Sequence, residues 1–138
     1  MRQATRILRV ETGGRGFYEM TATIVDFTRS ARVSEGLLTV FCRHTSASLL
    51  ITENADPNVL RDLETFLDRI APQDARYRHD DEGPDDMPAH IRAALTQTQL
   101  SIPVVGGALA LGTWQGVFLI EHRRRPHRRE VVLHLIGA

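Results

Sequence analysis

Apolar residues along this chain form short runs or alternate with polar ones, which predicts more strands than helices. The run at residues 37–42 is continuously apolar and predicts a strand that is buried on both faces. A second run covers residues 49–52. Two apolar segments around Gly106-Gly107 predict a hairpin. Further strands are predicted at residues 5–10, 17–23, 117–120 and 131–136.

Helical periodicity is clearest after Asp56, which suits an N-cap, with Pro57 at the first helical position. Apolar residues then recur at helical spacing: Val59, Leu63, Phe66, Leu67 and Ile70. A second principal helix is predicted after Asp86 as its cap, and a short one at residues 26–33. These elements predict one compact α+β domain over residues 1–138. Its sheet is mainly antiparallel, sandwich- or barrel-like, with two principal helices.

Composition narrows the possible functions. All 17 cationic side chains are arginine, so a lysine base or Schiff base is excluded, and the net charge is zero. Cys42 is the only cysteine, which excludes an intrachain disulfide and a multi-cysteine zinc site. The N-terminus does not resemble a signal sequence, and no apolar run is long enough to span a membrane. We therefore expect a cytoplasmic protein that does not associate with a membrane.

The segment from residue 77 to residue 90 concentrates the candidate chemistry. It holds His79, His90 and five carboxylates, which repel one another unless a cation lies among them. Neutral imidazole and carboxylate groups are common metal ligands. A metal site formed by His44, His79, His90 and Asp86 is one interpretation. The alternative is that these are surface histidines beside a solvated loop.

Two polar segments border the apolar strands. In the first, Thr45 and Ser46 could hold a phosphate or another substrate oxygen, or merely end a strand. In the second, Glu53 and Asn54 precede the Asp56 cap and could bind substrate or magnesium.

A glycine-flanked segment at residues 112–116 interrupts a strand. Glycines there indicate a bulge or a close backbone approach. Trp114 could stack on a ring that Gln115 hydrogen-bonds, although a single tryptophan is more often a core residue.

Five arginines lie among residues 123–129. They could bind phosphate or RNA, or form an exposed hairpin turn. The zero net charge argues against RNA, and we expect no nucleic-acid partner.

Taken together, the motifs resemble those of the YjbQ-like family, UPF0047, also called the secondary thiamine-phosphate synthase family. The resemblance covers nearly the whole chain and rests on the motifs at residues 44–48, 53–57, 77–80, 85–90 and 112–116.

The resemblance implies an α+β domain that assembles as a homotrimer, with sites near subunit boundaries. It also implies a thiamine-phosphate synthase activity, which joins hydroxymethylpyrimidine diphosphate to thiazole phosphate and releases pyrophosphate. A divalent metal ion, Mg or Zn, is expected to assist. The residues assigned to catalysis are His44, His79, His90, Glu53 and Asp86, with Thr45, Ser46, Asn54, Trp114 and Gln115 assigned to substrate binding. The alternatives are a metal- or ligand-binding homotrimer without catalysis and a metal-dependent phosphohydrolase.

Overall fold

The computed structural model describes all residues from Met1 to Ala138. It contains eight strands and three helices. In chain order these are β1 (Arg2–Glu11), β2 (Gly16–Glu19), α1 (Thr21–Ala31), β3 (Gly36–Cys42), β4 (Ala47–Glu53), α2 (Pro57–Ile70), α3 (Asp86–Leu95), β5 (Gln99–Val105), β6 (Ala108–Leu109), β7 (Gln115–Glu121) and β8 (Arg128–Gly137).

The strands form two antiparallel sheets. The larger sheet has the order β1-β8-β3-β5-β6, and the smaller has the order β2-β7-β4. They curve around a shared apolar core as a half-barrel, so the predicted fold class is confirmed. The Gly106-Gly107 hairpin also forms, and both glycines have the positive φ (57° and 81°) that a tight turn between β5 and β6 requires.

The core lies between the inner faces of the two sheets and helix α1. Leu38, Leu49, Leu119 and Leu133 are among its fully buried side chains. The prediction that residues 37–42 are buried on both faces is wrong. Leu37 is 42% exposed and Phe41 44%, because in an antiparallel sheet only one face of β3 packs on the core.

Helix α1 begins earlier and is longer than predicted. The expected strand at residues 17–23 ends at Glu19, and the chain turns into the helix at Thr21. The Thr21 hydroxyl accepts a hydrogen bond from the Val117 backbone N–H (2.9 Å) and so fixes the helix start against β7. Ile24 and Phe27 then bury one face of the helix in the core, which makes α1 a third substantial helix.

The two predicted helices form on the outer side of the smaller sheet. Asp56 caps α2 through the backbone N–H of Asn58 (2.9 Å), as expected. Helix α3 differs from the prediction: Asp85 occupies the N-cap position, and Asp86 is the first helical residue. The side chain of neither caps the helix, because both carboxylates bind Arg123 instead.

An arginine network ties α2 and α3 together. The buried Arg92 guanidinium donates to Glu64 (3.1 Å) and Asp68 (2.6 Å) of α2. Arg15, from the loop between β1 and β2, contacts the same two carboxylate oxygens. Three segments of the chain therefore share one cluster of charges.

A second buried ion pair joins the ends of β7 and β8. Glu121 is fully buried and accepts hydrogen bonds from Arg129 Nε (2.8 Å), the Thr12 hydroxyl (2.7 Å) and the Arg123 backbone N–H (3.1 Å). Arg129 also donates to the hydroxyl of Ser46 at 2.9 Å. The network fixes the backbone at Arg123, where the chain turns away from the end of β7.

Replacing Glu121 with glutamine should destabilise the protein by roughly 3–5 kcal/mol, because the substitution leaves the Arg129 charge buried without a counter-ion. Urea unfolding at a fixed protein concentration measures the change. Glu130→Gln is the matched control. Its carboxylate pairs with Arg9 and Arg43 at the surface, so it should change stability by less than about 1 kcal/mol. Equal effects of the two substitutions would show that the buried Glu121–Arg129 pair stabilises the fold no more than a surface ion pair does.

Candidate functional site

Three of the predicted metal ligands meet where the acidic loop enters helix α3. The Oδ2 atom of Asp86 lies 2.7 Å from His79 Nε2 and 3.0 Å from His90 Nε2. The ligand atoms of the three residues all lie within 4.8 Å of one another. Asp86 and His90 are four residues apart on α3 and therefore share a helix face. We call these three residues the His-Asp-His group.

Neighbouring groups hold this arrangement in place. His90 Nδ1 donates to the carbonyl oxygen of Thr45 (2.9 Å), which leaves Nε2 facing Asp86. Arg123 Nη1 donates to the other oxygen of Asp86, Oδ1, at 2.8 Å. Such outer contacts orient metal-binding side chains and fix the histidine tautomer.

The charges of the group reinforce one another. Burial opposes ionisation of Asp86, but the hydrogen bond with His79 and the charges of His90 and Arg123 outweigh it and lower the pKa of Asp86. The hydrogen bond to Asp86 in turn raises the pKa of His79 above its usual value, outweighing desolvation. Asp86 therefore carries a negative charge between two imidazole rings.

The donor set suits a transition metal better than magnesium. Two imidazole nitrogens and one carboxylate oxygen form a set that zinc and non-haem iron proteins use, whereas magnesium prefers oxygen ligands. In metal-free protein, the short Nε2–Oδ2 contacts require protons on the rings, and a cation would replace those protons. The residues present therefore fit a divalent metal ion.

Two clefts flank the turn at Gly83 and Pro84, which lines both of them. One, of about 540 Å³, is bordered by His79, Tyr77 and Asp80. The other, of about 580 Å³, lies between residues 82–85 and residues 123–125, and we call it the arginine cleft. A small molecule in either cleft would lie close to the His-Asp-His group.

His44 does not belong to this group, so the expected group of three histidines does not form. Its Nε2 accepts a hydrogen bond from the backbone N–H of Glu130 (2.8 Å), which ties the end of β3 to β8. Burial and the nearby charge of Arg129 lower the pKa of His44 and keep the ring neutral. Spacing along the chain could not show which way this side chain turns after the strand ends.

The remaining predicted residues divide between the two ends of the β4–β7 pair. Thr45 and Ser46 precede β4 and lie at the end near the His-Asp-His group, where Ala47 pairs with Glu121. At the other end, Glu53 pairs with Gln115. Seven residues at about 3.3 Å each separate these ends by roughly 20 Å. One chain therefore does not bring all the predicted residues together.

The residues at the far end form hydrogen bonds with neighbouring residues outside the predicted set. Glu53 accepts the backbone N–H of Asp56 (3.1 Å), and Asn54 donates to Glu19 (2.9 Å). Gln115 accepts the backbone N–H of Gly112 at 2.8 Å, which holds the glycine-flanked turn closed. Trp114 is 64% exposed, so it is not a core residue.

Arg123 is the functional residue that the sequence did not single out. Besides Asp86, it contacts Asp85 Oδ2 (3.1 Å) and the carbonyl oxygen of Glu82 (3.0 Å). In the sequence it is one of five arginines in an apparent turn. A usable signal was its position three residues after the end of the apolar run at 117–120, directly after Glu121-His122.

A half-barrel with a His-Asp-His group at the start of α3 defines a small α+β protein with a candidate metal centre. A model of the family described as UPF0047 protein YjbQ-like matches residues 6–138. The chain belongs to this family, as its motifs predicted. A UPF0047 protein of Synechocystis is 56% identical over 137 residues, which are 99% of this chain and 93% of that protein. The YjbQ protein of Escherichia coli O157:H7 is 41% identical over 133 residues, 96% of either chain.

Solved structures agree with this assignment. An uncharacterised conserved protein of the YjbQ/UPF0047 family from Clostridium acetobutylicum superposes with a TM-score of 0.88 at 34% identity, covering 95% of this chain and 99% of that one. A Sulfolobus solfataricus protein has the same fold, with a TM-score of 0.88 at 18% identity over 99% of both chains. In this chain, none of the helices is long and apolar enough to cross a bilayer.

Asp86→Asn should lower the pKa of His79 in metal-free protein, because the substitution removes the carboxylate that stabilises the protonated ring. In the unsubstituted protein, the hydrogen bond between protonated His79 and Asp86 stabilises the fold. This stabilisation is fully present below the unfolded-state histidine pKa of about 6.5, and it is lost as the pH rises through the higher pKa of His79 in the folded protein. Titration of the His79 ring resonances by NMR measures the shift.

Asp81→Asn is the control for this titration. Its carboxylate lies 3.8 Å from His79 and is largely exposed, so the substitution should lower the pKa of His79 by less than Asp86→Asn does. An unchanged His79 midpoint in Asp86→Asn would show that the hydrogen bond does not control the ring.

Proposed function

We propose that this protein is a metal-assisted transferase of the thiamine-phosphate synthase type. The proposal rests on the family resemblance together with one observation, the His-Asp-His group between two clefts. In that reaction the bond between the pyrimidine methylene and its diphosphate breaks, and the thiazole nitrogen forms the new bond to the methylene carbon. The negative charge of the departing pyrophosphate must be neutralised.

The metal ion would be held by His79, Asp86 and His90, and we propose zinc or a related transition metal on the basis of the donor set. When bound, it would act as a Lewis acid toward the phosphate oxygens.

The chain's own residues position the substrate around this group. His79 is partly exposed and borders the 540 Å³ cleft, so it can reach a bound molecule. The Tyr77 hydroxyl donates to the Pro72 carbonyl oxygen (2.6 Å), which fixes an aromatic ring in the same cleft. A heteroaromatic substrate could stack there. No covalent nucleophile is required.

The full-length protein supplied with a divalent cation and both precursors should form thiamine phosphate, measured by chromatography with fluorescence detection. His90→Ala and Asp86→Asn should lower the rate by about 100-fold or more, because each removes a metal ligand. Both variants should also lose bound metal, measured by elemental analysis of the purified protein.

Asp81→Asn is the matched control, since it removes one carboxylate from the same loop that is not a member of the group; that carboxylate is largely exposed and lies 3.8 Å from His79. It should keep its activity within about twofold and retain the metal. If the unsubstituted protein formed no more product than the Asp86→Asn variant, the transferase proposal would be excluded.

A second candidate is metal-dependent hydrolysis of a phosphorylated small molecule. The partial exposure of His79 favours it, because water can reach the group as well as a substrate can. Phosphate release from the pyrimidine diphosphate without the thiazole partner would identify the hydrolase. A protein that holds metal but turns over neither precursor would instead be the non-catalytic binding protein.

We further propose that the protein assembles as a homotrimer through the outer face of its larger sheet. The register places Ile7, Val132 and Phe41 in one row, with Leu37 and Ile136 in a second row four residues along. The row between them holds Thr5, His134 and Thr39. Ile7, Phe41, Leu37 and Ile136 are each about two-fifths exposed, so two apolar rows flank a polar one on a face that a second copy could cover.

Phe41→Arg should convert the trimer to monomer, because it places a charge in this apolar row. Light scattering coupled to size-exclusion chromatography measures the mass. Phe66→Arg, on α2 and away from the larger sheet with similar exposure, should leave the trimer intact. A monomeric unsubstituted protein would rule out the assembly, and a trimeric Phe41→Arg variant would place the interface elsewhere.

A further inference from the structure

The turn after β7 presents two arginines without partners. Arg123 is saturated by Asp85, Asp86 and the Glu82 carbonyl oxygen. The side chains of Arg124 and Arg125 are exposed and make no ion pair or hydrogen bond within the chain. Some exposed arginines elsewhere, such as Arg128, pair with a carboxylate, whereas others, such as Arg29 and Arg78, have none. What distinguishes Arg124 and Arg125 is that two unpaired guanidinium groups line the same cleft.

The backbone of this turn is held at each of its three arginines, Arg123, Arg124 and Arg125. The backbone N–H of Arg123 donates to Glu121 (3.1 Å), and that of Arg124 donates to Asp85 at 2.9 Å. His127 Nδ1 lies 2.7 Å from the Arg125 carbonyl oxygen. The Arg124 carbonyl oxygen packs so closely on Gly14 that a Cβ there would lie 2.6 Å from it. Both guanidinium groups therefore extend from a fixed support.

These side chains line the arginine cleft, whose opposite wall is the Glu82–Asp85 segment. The Asp85 carboxylate is already neutralised by Arg123 and by the Arg124 backbone N–H. The free charges on the lining are then two guanidinium groups against the single carboxylate of Glu82. This excess of positive charge, with several N–H donors in fork geometry, favours a phosphate group.

We propose that the arginine cleft is an anion subsite that binds the diphosphate end of the substrate through Arg124 and Arg125. The identity of that substrate rests on the proposed function, whereas the binding of a phosphate group does not. Arg123 joins the subsite to the His-Asp-His group, because its guanidinium lines the cleft and also contacts Asp86. The heteroaromatic end would then lie across the Gly83-Pro84 turn, beside His79 and Tyr77.

Isothermal titration of the full-length protein with inorganic pyrophosphate, in the presence of a chelator, tests the subsite directly. The Arg124→Gln/Arg125→Gln double variant should bind about 100-fold more weakly than the unsubstituted protein, at roughly tenfold per charge-assisted contact. The control is Arg43→Gln/Arg128→Gln, which removes the same charge from surface arginines outside the cleft. It should change the affinity by less than about threefold.

Four results distinguish this inference from the proposed function. Weakened pyrophosphate binding in the cleft variant alone, with a raised KM for the diphosphate substrate, supports both. The same binding result without any synthase activity supports the subsite and rejects the transferase. Equal pyrophosphate affinity in the two double variants overturns the subsite even if synthase activity is present, as does a failure of the unsubstituted protein to bind pyrophosphate.

Discussion

The antiparallel pairing of β4 with β7 keeps the candidate residues in two separate groups. One end of this pair carries Thr45, Ser46 and the start of the arginine turn, and the other carries Glu53 and Gln115. Because a strand cannot be shortened without losing its ladder of hydrogen bonds, the two groups stay separated by the length of the strands. Any function that uses both groups needs either a long ligand or a second subunit.

Near the end of the β4–β7 pair that carries Thr45, Asp86 is a carboxylate whose charge must be balanced by its neighbours. Five carboxylates in one loop would repel one another, yet Asp86 is buried and ionised. Arg123 on one oxygen and two imidazole rings on the other make this possible. Asp85 is also bound by Arg123, while Asp81 stays in solvent. The acidic loop thus ends in two carboxylates that are paired at the helix start, and the carboxylates that precede them are exposed to solvent.

Local chemistry was readable from the sequence where a single residue type determines it. Asp56-Pro57 marked a helix start, and Gly106-Gly107 marked a turn, because these residue types are strongly favoured at those backbone positions. The double burial of residues 37–42 was wrong, because a continuous apolar run does not reveal which face lacks a covering layer. The loop and helix that unite His79, Asp86 and His90 were also foreseeable. The orientation of the His44 side chain and the contact between Arg123 and Asp86 depend on tertiary packing, which cannot be predicted from spacing along the chain.

The use of arginine alone has a consequence at the two extremes of pH. The clusters around Glu121, Asp68 and Asp85 each pair carboxylates of lowered pKa with guanidinium groups. A guanidinium does not lose its proton under any condition that the fold would otherwise survive. These clusters therefore remain intact in strongly alkaline solution, where lysine pairs would be neutralised. Their contribution is lost only in acid, as the pH falls below about 4 and through the lowered carboxylate pKa values. These three clusters therefore resist base and are weakened by acid.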